Sequence, residues 1–444
     1  MPTARLALST SCVALSNDQS NQDSPLISIT ESEAVVSKLQ VEVEPENFGF
    51  SPERLARIKP HFDAYVDDRR LAGWLATISR GGQLIWSEKG GHRNREDNLA
   101  VEDDTIWRIY SMTKPITAVA VMMLYEEGHF DLDDPAGKWI DSLRDSTVFS
   151  GGSSMSPETV PATEPVRIHH LLTHMSGLTY GFQYIHPVDA IYRKKGYDFA
   201  FKSGVTLAEA VDDWCSSPLV FQPGSKWNYS VAFDVLGRLV ELWSGQPLDV
   251  FMKERIFDPL GMGDTEWWCP PHKAERLAML YVPVNREAMA YEPWHKASLH
   301  PPSLLGGGGG LLSTAYDYNR FAGMLLGGGE LNGVRLLSNR TVDLMTENHL
   351  PGDVDLKSFA IDSFSESSYN GVGFGLGMSV VTDRRLNKSL CTEGSFAWGG
   401  AASTAFWVDP VEDLTVSFFT QLLPSGTYPI RRDLQQLVYQ SLVD

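Results

Sequence analysis

At 444 residues, with 43% hydrophobic and 21% charged content, the chain can bury a large core in one big domain or two intimate ones. A formal net charge of −19 argues against nucleic acid and anionic membrane surfaces as partners. No apolar run reaches the roughly 18 residues that a membrane span needs.

Residues 1–45 read as a flexible leader. Arg5 and the apolar run behind it make a poor signal peptide, because Ser9, Thr10 and Ser11 interrupt the run, so the expected compartment is the cytoplasm. Ser51 and Pro52 then open a helix over 51–66, with Leu55, Ile58, Phe62 and Tyr65 on one face. Two strands, 73–79 and 83–87, are joined by Arg80-Gly81-Gly82 as a hairpin turn. A helix runs from Ser111 to about residue 127, and Asp131 to Pro135 breaks the chain.

The texture changes from 136 to 300, which reads as a mostly helical subdomain inserted into a sheet domain formed by 46–135 and 301–444. Loops are expected over 145–166. Helices follow at 168–177, closed by Gly177, then at 206–216, from just after Tyr229 to Trp243, and at 246–257. Five consecutive glycines at 306–310 predict a tight backbone approach leading into a helix over 316–326. Glycine at every second residue of 371–377 predicts a strand with one bare face; the series does not fit G-x-G-x-x-G, because Leu376 stands where the last glycine belongs. Strands at 402–408 and 414–421 and an amphipathic helix over 431–443 close the chain. Cys12, Cys215, Cys269 and Cys391 are scattered without C-x-x-C or metal-type spacing and read as free thiols.

The chemistry concentrates in Ser111-Met-Thr-Lys114. Pro115 is tolerated only where its missing N–H had no intrahelical partner, so the first turn lies at 111–115. Ser111 and Lys114, three residues apart, share a face there, with the positive end of the helix dipole beneath the hydroxyl. That arrangement suits a serine nucleophile whose base is a lysine. Taken alone it is weak, since serine and lysine are common enough for such a tetrad to arise by chance in a chain this long.

Three further motifs follow in order: His170-Leu-Leu-Thr-His-Met-Ser-Gly-Leu178, Tyr229-Ser230-Val231 and Trp398-Gly399-Gly400. Together with Ser111-Met-Thr-Lys114 the series resembles the serine β-lactamase-like superfamily, and most closely its family VIII carboxylesterases, over about residues 48–443. The resemblance implies an α/β fold of the α+β type, with an antiparallel sheet flanked by helices and the site between sheet and inserted subdomain. It implies Ser111 as the acylated nucleophile, Lys114 as its base or base partner, and Tyr229 as a proton relay to the leaving group. Which of Lys114 and Tyr229 takes the first proton stays open. The backbone N–H groups of Ser111 and Ala401 would form an oxyanion hole, where losing one donor typically costs about 3 kcal/mol. Lys114 serves as a base only when neutral, which desolvation among Ile109, Met112 and Ile116, with a nearby cation or dipole, would favour.

Two departures bear on substrate. Val231 replaces the amide of the superfamily's Y-x-N motif. Trp398, with Gly399 and Gly400, stands where β-lactamases carry K-T-G or H-T-G, and cannot pair with a substrate carboxylate. Both favour neutral, hydrophobic esters; short-chain acyl esters are the expected small-molecule substrates, and the reaction needs no metal or organic cofactor. His170 and His174 are four residues apart but lack a third ligand nearby. Asp234 reads as a local cap or pairing residue. No G-x-S-x-G elbow occurs in the chain, which argues against a doubly wound hydrolase. The rivals are an acyltransferase using the same acyl-enzyme, a β-lactamase or peptidase, and a non-catalytic binding scaffold. The oligomeric state is left open.

Overall fold

Residues 51–66 form two helices in the computed structural model, Pro52–Leu55 and α1 (Ile58–Asp67). The break has a cause in the sequence. Pro60 has no N–H to give to a carbonyl four residues back and fits only in a first turn, so the helix restarts at Ile58. The structure describes residues 39–41, 43–361 and 369–443; the leader expected over 1–45 lies outside them except for 39–41 and 43–45.

Strand β1 (Gly73–Arg80) turns into β2 (Gln83–Asn94) through Gly81 and Gly82, whose φ values of 61° and 73° are those of a primed hairpin turn. β3 (Leu99–Ala100) completes this end of the sheet. The other strands come late in the chain: β4 (Val372–Phe374), β5 (Ser379–Val381), β6 (Phe396–Gly399), β7 (Ala405–Asp409) and β8 (Leu414–Phe419). Their order is β4-β5-β6-β7-β8-β1-β2-β3, antiparallel throughout. Leu75 of β1 lies opposite Phe419 of β8, and Ile78 opposite Val416, so the two ends of the chain close one sheet.

Five more helices position the site: α2 (Thr113–Glu126), α3 (Ile168–Leu172), α4 (Ala232–Ser244), α5 (Ala315–Leu326) and α6 (Ile430–Tyr439). The period-2 alternation of β1 sorts its side chains between two cores. Trp74, Ala76 and Ile78 pack with Phe62 of α1 and Leu434 and Val438 of α6 on one face. Leu75 belongs to the opposite core, with Tyr318 and Phe321 of α5 and the apolar residues of α2. The result is the expected antiparallel sheet flanked by helices. α2 is buried on all sides from Thr113 to Leu124 and packs against α4. Among the described residues no helix is long and apolar enough to cross a membrane. Cys215, Cys269 and Cys391 are free and buried, as expected.

Several expectations need correction. Residues 147–161 form a β-hairpin (Thr147–Ser153 with Ser156–Pro161) where loops were expected. Its second strand is exposed along its whole length, so it carries no alternating apolar signal and pairs by backbone alone. A helix at Pro187–Lys194 and a hairpin at Tyr281–Val284 and Glu287–Ala290 also escaped the reading. α3 ends at Leu172, short of Gly177, because His174 already takes a left-handed φ of 56°. The glycine series is two strands, β4 and β5, reversing through Gly377 at φ 96°, and not one strand. Its glycines do mark close approach: a Cβ on Gly373 would meet Asn348 at 2.3 Å, and one on Gly375 the Met345 carbonyl at 2.2 Å.

Candidate active site

Ser111 sits in a single 3-10 turn, Tyr110–Met112, that feeds directly into α2. Tyr110 holds a φ of 43°, an uncommon value for a bulky residue and the kind of local strain found at functional sites. The turn is braced from below, where the Tyr318 hydroxyl of α5 donates to the Met112 carbonyl at 2.9 Å. Ser111 is half-buried and Lys114, one turn on, is wholly buried.

Lys114 Nζ donates to Ser111 Oγ at 3.1 Å and to the Gly308 carbonyl at 2.6 Å. Burial, with Ile109, Met112 and Ile116 all fully inside, pushes its amine down to about 7. The charge that acts on it is Asp234, an anion that pulls the other way, and not the cation or dipole expected from the sequence. The Tyr229 hydroxyl donates to Ser111 Oγ at 2.6 Å. Burial pushes this phenol well above its ordinary range, a shift that the hydrogen bond to Ser111 opposes. Ser111, Lys114 and Tyr229 therefore meet at one oxygen, drawn together from residues 118 positions apart in the chain.

Aromatic rings fix Tyr229. Its ring centroid lies 4.9 Å from His174, 5.3 Å from Tyr180 and 5.6 Å from Trp398. The Gln183 amide donates to the Tyr229 carbonyl. Lys114 Nζ stands 4.5 Å from the centroid of the Tyr229 ring and 5.5 Å from that of Tyr180, close enough for both π faces to attract its ammonium form.

Past Trp398 the chain makes a tight turn. Gly400 N–H donates to the Thr404 carbonyl at 3.0 Å, and Ser403 N–H to the Gly400 carbonyl at 3.0 Å. The turn rests on the residue two before Ser111: a Cβ on Gly400 would lie 2.3 Å from the Ile109 carbonyl oxygen. Arg431 of α6 binds it from behind, donating to the carbonyls of Gly400 at 3.0 Å and Thr404 at 2.9 Å. Ala401 lies within this turn, and its carbonyl accepts from Ser425 N–H at 2.6 Å. Gly399 ends β6, and Trp398 faces Tyr229. Val231 is buried just ahead of α4, its N–H donating to the Thr179 carbonyl at 3.3 Å. A cavity of about 710 Å³ opens beside Tyr229, Trp398 and Gly399 and runs toward Tyr428, Arg431 and Gln435.

The two histidines flagged by spacing diverge. His170 Nδ1 accepts from Arg167 N–H, while His174 Nδ1 pairs with Ser230 Oγ. Among the described residues no three His, Cys, Asp or Glu side chains gather as metal ligands. Asp234 is no local cap: its Oδ1 accepts from the N–H of Gly308, 74 residues away. Its part in the site was missed because only the fold brings it there. The glycine run offered a partial signal, since a Cβ on Gly307 would meet the Phe233 carbonyl at 2.6 Å and one on Gly308 would meet Asp234 at 2.5 Å.

Comparison with known proteins agrees with this architecture. The Beta-lactamase family matches residues 58–440. An uncharacterized protein of Mycobacterium tuberculosis is 34% identical over 361 residues, covering 80% of this chain and 86% of its own. Esterase EstB of Burkholderia gladioli is 28% identical over 419 residues, covering 89% and 98%. The solved structure of EstCE1, a hydrolase with promiscuous acyltransferase activity, superposes with a TM-score of 0.74 at 25% identity, covering 87% of this chain and 99% of that one. The chain belongs to the Beta-lactamase family, in its group of β-lactamase-fold serine hydrolases and acyltransferases related to the family VIII esterases.

Proposed function

We propose that the protein is a serine carboxylesterase that cleaves short-chain, hydrophobic esters through an acyl-Ser111 intermediate. The observation that carries the reading is the convergence of Lys114 Nζ and Tyr229 OH on Ser111 Oγ, at 3.1 and 2.6 Å. The electrostatics favour Lys114 as the first base. Burial drives its amine toward neutrality near pH 7, while the same burial keeps Tyr229 protonated. In this mechanism Ser111 Oγ gives its proton to Lys114 Nζ and bonds to the ester carbonyl carbon. The backbone N–H groups of Ser111 and Ala401 receive the developing oxyanion. Collapse breaks the ester C–O bond, and the departing alkoxide takes the Tyr229 proton, which Lys114 replaces. Water then attacks the acyl-enzyme by the same route and releases the acid.

Substrate preference follows from the walls. Val231 offers no amide and Trp398 no charge, and Tyr180, Trp227, Phe374 and Trp398 surround the relay with aromatic surface. The cavity of about 710 Å³ touches this relay at Tyr229 and Trp398, while Ser111 and Lys114 are not among its lining residues. Residues 136–300 act in this reading as the subdomain that supplies Tyr229 and Tyr180 against the sheet domain of 46–135 and 301–444. The buried free thiols suit the cytoplasm.

A p-nitrophenyl ester panel from acetyl to dodecanoyl, run on wild type and Ser111→Ala, tests the class. Turnover confined to the short chains, and lost about ten-thousand-fold in Ser111→Ala, is the expected result. Equal turnover in the two proteins sinks it. Acyl transfer to alcohols is the second reading, favoured by the promiscuous acyltransferase activity of EstCE1. Added alcohol then yields new esters in place of acid.

A further inference from the structure

We propose that Asp234 is the positioning residue for the base: it anchors Gly308, whose carbonyl fixes Lys114 against Ser111, and its charge governs the protonation of that amine. The proposal rests on the serine-hydrolase reading above and extends it to a residue outside the Ser111–Lys114–Tyr229 contact.

Asp234 is completely buried in the first turn of α4, five residues after Tyr229. A carboxylate in such a place is costly unless its oxygens are used. Only half of this one is: Oδ1 accepts from Gly308 N–H at 3.0 Å, and Oδ2 has no hydrogen-bond partner among the described residues. A core selected for packing alone has little reason to hold such a group.

The geometry supplies the reason. Gly308 hands the interaction on, because its N–H is held by Asp234 and its C=O accepts from Lys114 Nζ at 2.6 Å. Lys114 in turn reaches Ser111 Oγ at 3.1 Å. The contact demands glycine, since a Cβ on Gly308 would stand 2.5 Å from Asp234 Oδ2. Thr117 Oγ1 secures the neighbouring peptide by donating to the Gly307 carbonyl at 2.6 Å. A glycine segment without side chains to lock it is thus held from α2 on one side and from α4 on the other.

Charge adds a second effect. Facing the pair are Tyr180 and Tyr229, whose phenols burial pushes far up, and His174, which burial and Lys114 push down. All three are neutral near pH 7, so Asp234 is the charge that Lys114 meets among the described residues. Asp234 favours the ammonium and opposes desolvation, which keeps Lys114 a stronger base than burial alone would leave it. Burial pushes the Asp234 carboxyl up to about 6, while Lys114 and the Gly308 N–H favour its ionised form, so it carries its charge near pH 7 and loses it as the pH falls through about 6.

The experiment measures pH–rate profiles with p-nitrophenyl acetate, and pH-dependent fluorophosphonate labelling of Ser111, for wild type, Asp234→Asn and Asp234→Ala. Asp234→Asn keeps an oxygen for Gly308 and loses the charge. Its acid limb should move to lower pH by about one unit, and its plateau kcat fall about tenfold as the base weakens. Asp234→Ala should fall further and melt at lower temperature, because Gly308 loses its anchor. An Asp234→Asn limb at the wild-type pH overturns the proposal. If Asp234→Asn does not fold, Asp234→Glu and Asp234→Ser form a second pair: the first should hold the wild-type limb and the second shift it, and a shared limb overturns the proposal. A wild type that neither labels nor hydrolyses removes the enzymatic reading and this proposal with it. A labelled wild type with an unmoved variant removes this proposal alone.

Discussion

In the proposed reaction the Tyr229 hydroxyl matters most when the leaving group is a strong base. p-Nitrophenoxide departs without a proton, whereas an alkoxide does not. Tyr229→Phe should therefore lower kcat on ethyl or butyl esters about a hundredfold or more, and on p-nitrophenyl acetate distinctly less. Steady-state kinetics on matched acyl groups measure the difference, and an equal loss on both would argue that the phenol only orients Ser111 through its 2.6 Å hydrogen bond. In the same proposed reaction Lys114 sets the pH dependence. Its amine is held down near 7, and only the neutral form accepts a proton, so kcat/KM should rise with pH and level off above about 7. Below that point the rate should drop about tenfold per unit as the ammonium accumulates. A profile flat from pH 5 to 8 would remove Lys114 as the base.

Two elements hold this chemistry in place, and each makes a prediction. α6 lies at the end of the chain, yet its Arg431 grips the Gly400 and Thr404 carbonyls of the turn that carries Ala401. Arg431→Met should loosen the proposed oxyanion donor and lower kcat about tenfold with little change in KM, since in the proposed reaction the turn acts on the transition state more than on the bound ester. The glycine segment is the other element. Gly307→Ala places a methyl 2.6 Å from the Phe233 carbonyl, a backbone atom that cannot swing aside. It should cost about 1–3 kcal/mol, read by thermal denaturation, and lower kcat as Gly308 leaves Lys114. These elements also show where sequence is legible. Ser111 and Lys114 were readable because one helical turn joins them, and Tyr229 because its motif keeps order in the chain. The partnership of Asp234 with Gly308 was not, for it spans 74 residues and depends on how α4 packs. The helix over 51–66 was misread for the opposite reason: the local signal at Pro60 was present and outweighed by an unbroken apolar stripe. The hairpin at 147–161 had no signal, being exposed on its outer strand.

At the scale of the molecule the sheet divides two jobs. Phe62, Trp74 and Phe418 fill the core beneath it, with ring centroids of Phe62 at 5.5 Å from Trp74 and 4.8 Å from Phe418. Tyr229 belongs to the opposite core, where Phe233 lies 5.1 Å from His174 and His174 lies 4.9 Å from Tyr229. Truncating a buried phenylalanine costs about 3–5 kcal/mol wherever it is done. What differs is where the loosened packing is felt. Phe62→Ala opens its cavity on the face away from Ser111, so it should lower the melting temperature while the folded fraction keeps the wild-type kcat/KM. Phe233→Ala lies under the ring that braces Tyr229 and beside the carbonyl that seats Gly307. It should lose stability by a similar amount and also lose kcat/KM at temperatures where it remains folded. Circular dichroism melts paired with active-site titration by a fluorophosphonate separate the folded fraction from the rate. If both variants lose activity only in proportion to folding, the packing around Tyr229 does not set the geometry at Ser111, and the relay positions itself through its hydrogen bonds alone.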